Sequence, residues 1–277
     1  MLYDTETLQH VQRINLQTLI DIDKVCKKHE ITYFLDSGTA LGARRHSGFI
    51  PWDDDVDLGM LRSDYEKFLE VAPLELSDKY VVCNPRSNNK IASTFAKVWL
   101  RGTKFATRET IDAHLDQGIF IDIIPYDVLS SDEKISAGQR KKCRLAQYCL
   151  YLFHSPNVNL PHKGLIGGFE RVACYIAHYL LRLITSHEAI LGYFEDAASM
   201  GKLNPSDIYL QMCWTGVDGF TKSCLLPSLP LQFEGYEFPC PSNIEEYLSV
   251  MYGDWETLPS VEERHQHSPE VLNFGKF

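Results

Sequence analysis

Between residues 5 and 29, Leu8, Val11, Ile14, Leu19, Ile22, Val25 and Cys26 recur near helical spacing with polar residues between them. This pattern predicts an amphipathic opening helix. The β-branched and aromatic run Ile31-Thr32-Tyr33-Phe34-Leu35 predicts a short strand, ending at the turn and cap residues Asp36-Ser37-Gly38-Thr39. Ala40 to His46 then reads as a short helix, Asp53 to Met60 as an extended segment, and Arg62 to Val71 as a helix through Tyr65, Phe68 and Leu69. Strands are expected at Lys79–Cys83 and at Thr94–Leu100, where Phe95, Lys97 and Trp99 alternate. The apolar run Ile119-Phe120-Ile121-Asp122-Ile123-Ile124, ending at Pro125, fits a central strand buried on both faces, with a single acid inside it.

From about Asp132 the pattern turns helical, in three patches near 132–153, 164–184 and 186–200, with Pro156, Pro161 and Gly201 as breaks. The part from Ile208 onward is Pro-rich and aromatic, with one helix expected at Asn243–Met251. The order predicts an α+β fold: a strand-containing unit over residues 1–130, then a mainly helical region over 131–277 that packs back on it.

Composition narrows the class. Hydrophobic residues at 44% and charged residues at 23% describe a folded chain of 277 residues. A formal net charge of −10 argues against a nucleic-acid partner. The eight cysteines are scattered without a CxxC pair, as expected of reduced thiols. Met1 to Glu30 has no continuous apolar run, so no signal peptide is expected and a cytoplasmic location is. In Gly164–Thr185 the uncharged run between Arg171 and Arg182 is far shorter than the roughly 20 residues needed to span a bilayer. Its apolar residues wrap most of the helix, which predicts a buried helix, with a helix at a membrane surface as the alternative.

The candidate chemistry centres on Trp52-Asp53-Asp54-Asp55-Val56-Asp57-Leu58-Gly59-Met60. In an extended segment Asp53, Asp55 and Asp57 project together while Asp54 and Val56 point the other way. Three carboxylates at that spacing repel unless a cation sits among them, and an all-oxygen site suits Mg²⁺ or Mn²⁺ better than zinc. A calcium loop is disfavoured, because its sixth and twelfth places hold Leu58 and Asp64. A solvated acidic turn fits poorly beside Phe49, Ile50, Val56 and Met60. Upstream, the glycine turn around Ser37, Gly38, Thr39 and Gly42 opens a helix whose exposed amides suit phosphate, although Ser37 or Thr39 can equally be a plain helix cap. Asp122 either completes the acid cluster or meets one of Arg44, Arg45, Lys97 and Arg101. Arg44 and Arg45, just after the glycine turn, are candidate ligands for a nucleotide diphosphate.

A glycine turn after a strand, alternating acids on the next and one acid on a later strand resemble the nucleotidyltransferase fold. The wording of residues 33–42, of Gly48-Phe49-Ile50-Pro51-Trp52-Asp53-Asp54-Asp55-Val56-Asp57 and of Gly118–Pro125 is closer still. It resembles the LicD family, which includes bacterial phosphocholine transferases and fukutin-like ribitol-phosphate transferases, and the likeness returns at Tyr247-Leu248 and Tyr252–Trp255. The resemblance implies transfer of a substituted phosphate from a CDP-linked donor to a hydroxyl of a glycan or its lipid-linked precursor, releasing CMP. On that footing Asp55 and Asp57, with Asp53 and Asp122, hold Mg²⁺ or Mn²⁺, and Asp122 is either a ligand or the base for the acceptor. Ser37, Gly38 and Thr39 face phosphate oxygens, Lys97 supplies positive charge, and Arg264, His265 and His267 are candidates to close over the nucleotide. Helix 164–184 then has a place at the inner membrane face. Two rivals stand beside this reading: a sugar-nucleotide glycosyltransferase with a DxD metal site, and a non-catalytic relative that binds glycan or nucleotide.

Overall fold

A computed structural model describes residues 3–158, 162, 164–264, 266–267 and 269–277; Pro161 and His265 lie outside them. Helix α1 (Thr5–Lys28), capped by Asp4, lays Val11, Leu19 and Ile22 against the main sheet. Strand β1 is confined to Phe34–Leu35, and α2 (Ser37–His46) starts at once. Its cap is Asp36, whose carboxylate accepts from Ser37 N, rather than Ser37 or Thr39. Strand β2 (Asp57–Leu61) follows, then α3 (Arg62–Glu75), β3 (Tyr80–Cys83), β4 (Ala96–Leu100), β5 (Lys104–Ala106) and the short α4 (Arg108–Asp112).

Strand β6 (Phe120–Ser130) is the axis of the sheet, and it runs straight through Pro125 for eleven residues. On one edge it pairs in parallel with β2, from Asp57 opposite Asp122 to Leu61 opposite Tyr126. On the other edge its first half pairs with β4 and its second half with β7 (Pro205–Gln211), both antiparallel. The sheet order β1-β2-β6-β4-β3 is therefore extended by β7 and by β8 (Phe220–Thr221), so residues beyond 200 complete a sheet begun before residue 60.

Helices α5 (Glu133–His154), α6 (Gly164–Ile184) and α7 (His187–Ser199) follow the predicted patches. Leu150, Phe194 and Ala197 form a second, smaller core between α5 and α7. Helix α6 corrects the expectation of a buried helix. Its narrow inner side faces α5 through His178, with Gly167 against the backbone of His162, and Ile166, Phe169, Val172, Ile176, Tyr179, Leu180, Leu183 and Ile184 point to solvent. The sequence pattern was apolar nearly all round and so carried no direction. After the short α8 (Lys222–Leu225), the hairpin β9 (Leu229–Phe233) and β10 (Tyr236–Cys240) precedes α9 (Ile244–Tyr252), and the terminal β11 (Val271–Asn273) pairs with β5. All eight cysteines are free thiols.

A buried carboxylate joins the two ends of the chain. Asp36 Oδ1 accepts from Tyr126 Oη at 2.8 Å, from Ser37 N at 2.8 Å and from Tyr247 Oη of α9. Tyr247 Oη in turn accepts from Ser37 N at 2.9 Å, and its ring stacks on Phe220. Burial raises the pKa of Asp36 against these donors, so each hydroxyl is needed to keep the carboxylate solvated. Tyr247→Phe is expected to destabilise the fold by about 1–3 kcal/mol in chemical denaturation, the cost of stripping one donor from a buried acceptor. An unchanged midpoint would show that the joint is held elsewhere.

A second buried polar contact ties α5, α7 and the loop after β3. His154 Nε2 lies 3.0 Å from His187 Nδ1, and His187 Nε2 lies 2.8 Å from the carbonyl of Pro85. Burial, helped by His187 and Arg182, lowers the pKa of His154 from 6.5 to about 4. The folded protein keeps this ring neutral where the unfolded chain protonates it. Its contribution is therefore complete above pH 6.5 and is lost as pH falls from 6.5 towards 4. Denaturation at pH 7 and pH 5 should show a fall in stability of order 1–2 kcal/mol. His154→Gln should flatten it; an equal fall in the variant would assign the effect to other groups.

Candidate active site

The acids gather where α2, β2, β4 and β6 converge. Residues 53–56 are irregular rather than a strand, but the alternation survives: Asp54 and Val56 are buried, and Asp53, Asp55 and Asp57 are half-buried. Asp57 is the first residue of β2, fixed by its own N–H to Thr39 Oγ1 at 2.9 Å and by its carbonyl, which accepts from Asp36 N. Gly38 leaves the space that Asp53 uses, since a Cβ there would stand 2.9 Å from Asp53 Oδ2. Asp53 thus lies against the N-terminus of α2, at a glycine whose missing side chain permits the approach.

Strand register brings the later residues in. Asp57 stands opposite Asp122 across the parallel pair, and Lys97 stands opposite Asp122 across the antiparallel one. Lys97 Nζ reaches Asp122 Oδ1 at 2.5 Å and lies 4.0 Å from the centre of the Phe120 ring. The choice left open for Asp122 is thereby decided among the four candidate cations: it meets Lys97. Arg101 bonds the carbonyl of Ser77.

The electrostatics of the cluster are those of too many carboxylates in one place. Burial first, then the charge of Asp55, pushes the pKa of both Asp53 and Asp57 well above the carboxylate range, and Asp122 adds to the effect on Asp57. Asp122 is also raised, by burial, although Lys97 opposes the shift. The tail of the chain supplies a second cation. His267 Nδ1 is 3.1 Å from Asp54 Oδ1 and 3.7 Å from Asp55 Oδ2. Burial would lower the pKa of this ring, but Asp55 and Asp54 outweigh it and raise it to about 9. Arg264 lies 4.1 Å from the centre of the Trp52 ring. Pairing of β11 with β5 draws this tail across the acids. His267 was only a candidate in the sequence, because nothing local to residues 261–277 shows that they cross residues 52–55.

Two predicted residues are not brought here. Arg44 and Arg45 leave the last turn of α2, about 10 Å of helix from its N-terminus. Arg44 pairs with Glu245 at 2.8 Å and Arg45 donates to the carbonyl of Trp255 at 2.8 Å, so both fasten α2 to α9 and the chain after it. Thr39 is close to the acids, but its hydroxyl is taken by Asp57 N. Ser37, at φ +46°, lines a cavity instead.

Two cavities adjoin the cluster. One, of about 660 Å³, includes Lys97, Asp122, His267 and the buried Gln117, whose Oε1 has no partner among the described residues. The other, of about 720 Å³, includes Ser37, Trp214 and Tyr252. Phe95, Tyr148 and Tyr151 line both. Each volume is in the range of small-molecule sites. The tyrosines come from α5 and Trp214 from the turn after β7, positions that carried no motif in the sequence.

Among the described residues, the side chains whose ligand atoms converge to within 4.8 Å of one another are those of Asp54, Asp55 and His267 rather than the predicted Asp53, Asp55, Asp57 and Asp122. Two carboxylates and one imidazole are a donor set that a divalent cation accepts, and Asp54 Oδ2 is buried without a partner among the described residues.

Comparison with known proteins agrees with this geometry. Residues 30–142, which contain the glycine turn, the acids and Asp122, match the LicD/FKTN/FKRP nucleotidyltransferase domain. Over 270 residues, 94% of this chain and 96% of the relative, the sequence is 26% identical to the lipopolysaccharide cholinephosphotransferase LicD of Haemophilus influenzae. It is 36% identical over 78 residues, a quarter of each chain, to an uncharacterized protein of Rickettsia typhi. A stretch of 34 residues is 53% identical to the ribitol 5-phosphate transferase FKRP of mouse and human, covering 12% of this chain and 7% of those proteins. Residues 30–142 thus carry the LicD-family domain, and the chain as a whole is similar to a LicD protein over nearly its full length.

Proposed function

We propose that this protein is a transferase that moves phosphocholine from a CDP-linked donor to a hydroxyl of a cell-surface glycan or its lipid-linked precursor, releasing CMP. One observation carries the reading: the register that sets Asp57 and Lys97 on either side of Asp122, at the junction of two aromatic-lined cavities, inside a LicD-family domain. Kinship over nearly the whole length of a cholinephosphotransferase supports the choice of group. So does the lining, since a quaternary ammonium binds aromatic faces, and Phe95, Tyr148, Tyr151, Trp214 and Tyr252 supply them.

Asp53, Asp55 and Asp57 would hold Mg²⁺ or Mn²⁺, which when bound would neutralise charge on the donor diphosphate, leaving Asp122 for the acceptor. The chain's own part is positioning and proton transfer. Lys97, beside Asp122, and His267, beside Asp54 and Asp55, line the same cavity and would present positive charge to phosphate oxygens there. Asp122, with its raised pKa, takes the proton of the acceptor hydroxyl. The acceptor oxygen then forms its bond to phosphorus as the bridging P–O bond to CMP breaks, a displacement that depends on alignment and charge more than on covalent participation by the protein.

Calorimetric titration with CDP-choline, CDP-ribitol, CDP-glycerol and UDP-glucose, with and without Mg²⁺, tests the reading. Metal-dependent binding of CDP-choline is expected; binding of UDP-glucose alone would replace it with the glycosyltransferase reading. Asp55→Asn and Asp57→Asn should each lower transfer by roughly 100-fold or more, the scale of losing an electrostatic element of a reaction centre. Because burial and neighbouring carboxylates disfavour the charged form of Asp57, Asp57→Asn should at the same time raise the melting temperature of the metal-free protein. A variant that is both active and no more stable would sink the assignment.

A further inference from the structure

Helix α6 presents a continuous apolar face to solvent. Phe169, Ile176, Leu180 and Leu183, spaced at seven, four and three residues, form its centre line, with Phe169 77% and Leu183 81% exposed. Val172, Tyr179 and Ile184 widen it, and all three are more than half exposed. The opposite side is fastened to the protein. His178 Nδ1 lies 2.6 Å from the carbonyl of Leu152 at the end of α5, Tyr175 donates to Asn157, and Arg182 sits over Phe153. The helix is therefore anchored with its greasy side outward, and a monomer in water does not ordinarily keep such a patch uncovered.

Charge identifies what covers it. Residues 133–184 carry eight Lys or Arg against two acids, Glu133 and Glu170, in a chain whose formal net charge is −10. Of these cations Lys134, Lys141, Lys142 and Arg171 are exposed; Arg140 donates to the carbonyls of Val217 and Asp218, Arg144 lines the second cavity and Arg182 lies over Phe153. The acidity of the molecule lies elsewhere. An apolar helical face within a cationic segment complements an anionic lipid surface, where the side chains enter the acyl boundary and the cations meet the headgroups. No described helix is long and apolar enough to cross a membrane. Helix α5, on which α6 sits, also supplies Tyr148 and Tyr151 to both cavities, so a bilayer against α6 adjoins the helix that walls the candidate site.

We infer that the outward face of α6 is a peripheral docking surface for anionic phospholipid bilayers. The inference stands on exposure and charge and does not need the transferase reading.

Flotation of the full chain with vesicles tests it. The wild type should float with phosphatidylethanolamine vesicles containing phosphatidylglycerol, should stay behind with phosphatidylcholine vesicles, and should be released by salt. Phe169→Glu with Leu180→Glu should weaken binding at least roughly tenfold, with circular dichroism unchanged. Leu183→Ser serves if the double variant does not fold. Lys141→Glu with Arg171→Glu should weaken binding to anionic vesicles alone. Asp57→Asn should float as the wild type does, so a failure at the donor site cannot be mistaken for a failure here. Three results would overturn the proposal: no flotation, flotation indifferent to lipid charge, or a solution dimer in sedimentation velocity that Phe169→Glu dissociates, which would assign the face to a second copy of the chain.

Discussion

Carboxylates crowded into a half-buried cluster repel, and two like charges about 5 Å apart cost on the order of 3 kcal/mol at the effective dielectric of a protein surface. Asp53, Asp55, Asp57 and Asp122 share such a cluster, while Lys97 and His267 are the cations in contact with it. Left to itself, a flexible loop would let these groups move apart. The fold prevents this by fixing Asp57 and Asp122 on neighbouring central strands and by setting Asp53 against a glycine at the head of α2. The repulsion is borne by a surrounding apolar core that contains Phe34, Leu58, Met60 and Ile121, all fully buried. Locally unfavourable charge held by a rigid scaffold is the usual form of a site prepared to receive a cation or to bind developing charge.

Closure of the site depends on chain far away in sequence. Tyr247 reaches back from α9 to Asp36, and His267 reaches back from the tail to Asp54 and Asp55. Arg44 and Arg45, which look like phosphate ligands beside the glycine turn, serve this closure instead by binding α9 and the carbonyl of Trp255. The region between, residues 131–214, adds the α5 tyrosines and Trp214, so aromatic walls from the second half of the chain stand beside Asp122 and Lys97 in the first cavity and beside Ser37 in the second. The two spaces share Phe95, Tyr148 and Tyr151, so one set of aromatic side chains borders both.

Local chemistry was legible wherever one short segment carried the whole signal. The periodicity of α1, the alternation of Asp53, Asp55 and Asp57, and the acid inside an apolar strand each require only neighbours along the chain. The same pattern misled where it lacked direction. Helix α6 is apolar nearly all round, and the pattern could not say which side its small inner residues would choose. Strands β7 and β8 were hidden in a Pro-rich stretch, because β7 pairs with β6, some 80 residues upstream, and β8 pairs in turn with β7.

The sequence by itself determined the α+β class, the acids, the glycine turn and the likeness to the LicD family, because these reside in residue type and spacing over a few dozen residues. Only the tertiary structure decided that Lys97 is the partner of Asp122, that His267 and not Arg44 or Arg45 adjoins the acids, and that α6 faces outward. Those outcomes rest on strand register and on the return path of a distant tail, which follow from the summed packing of the whole chain and leave no mark on any one segment.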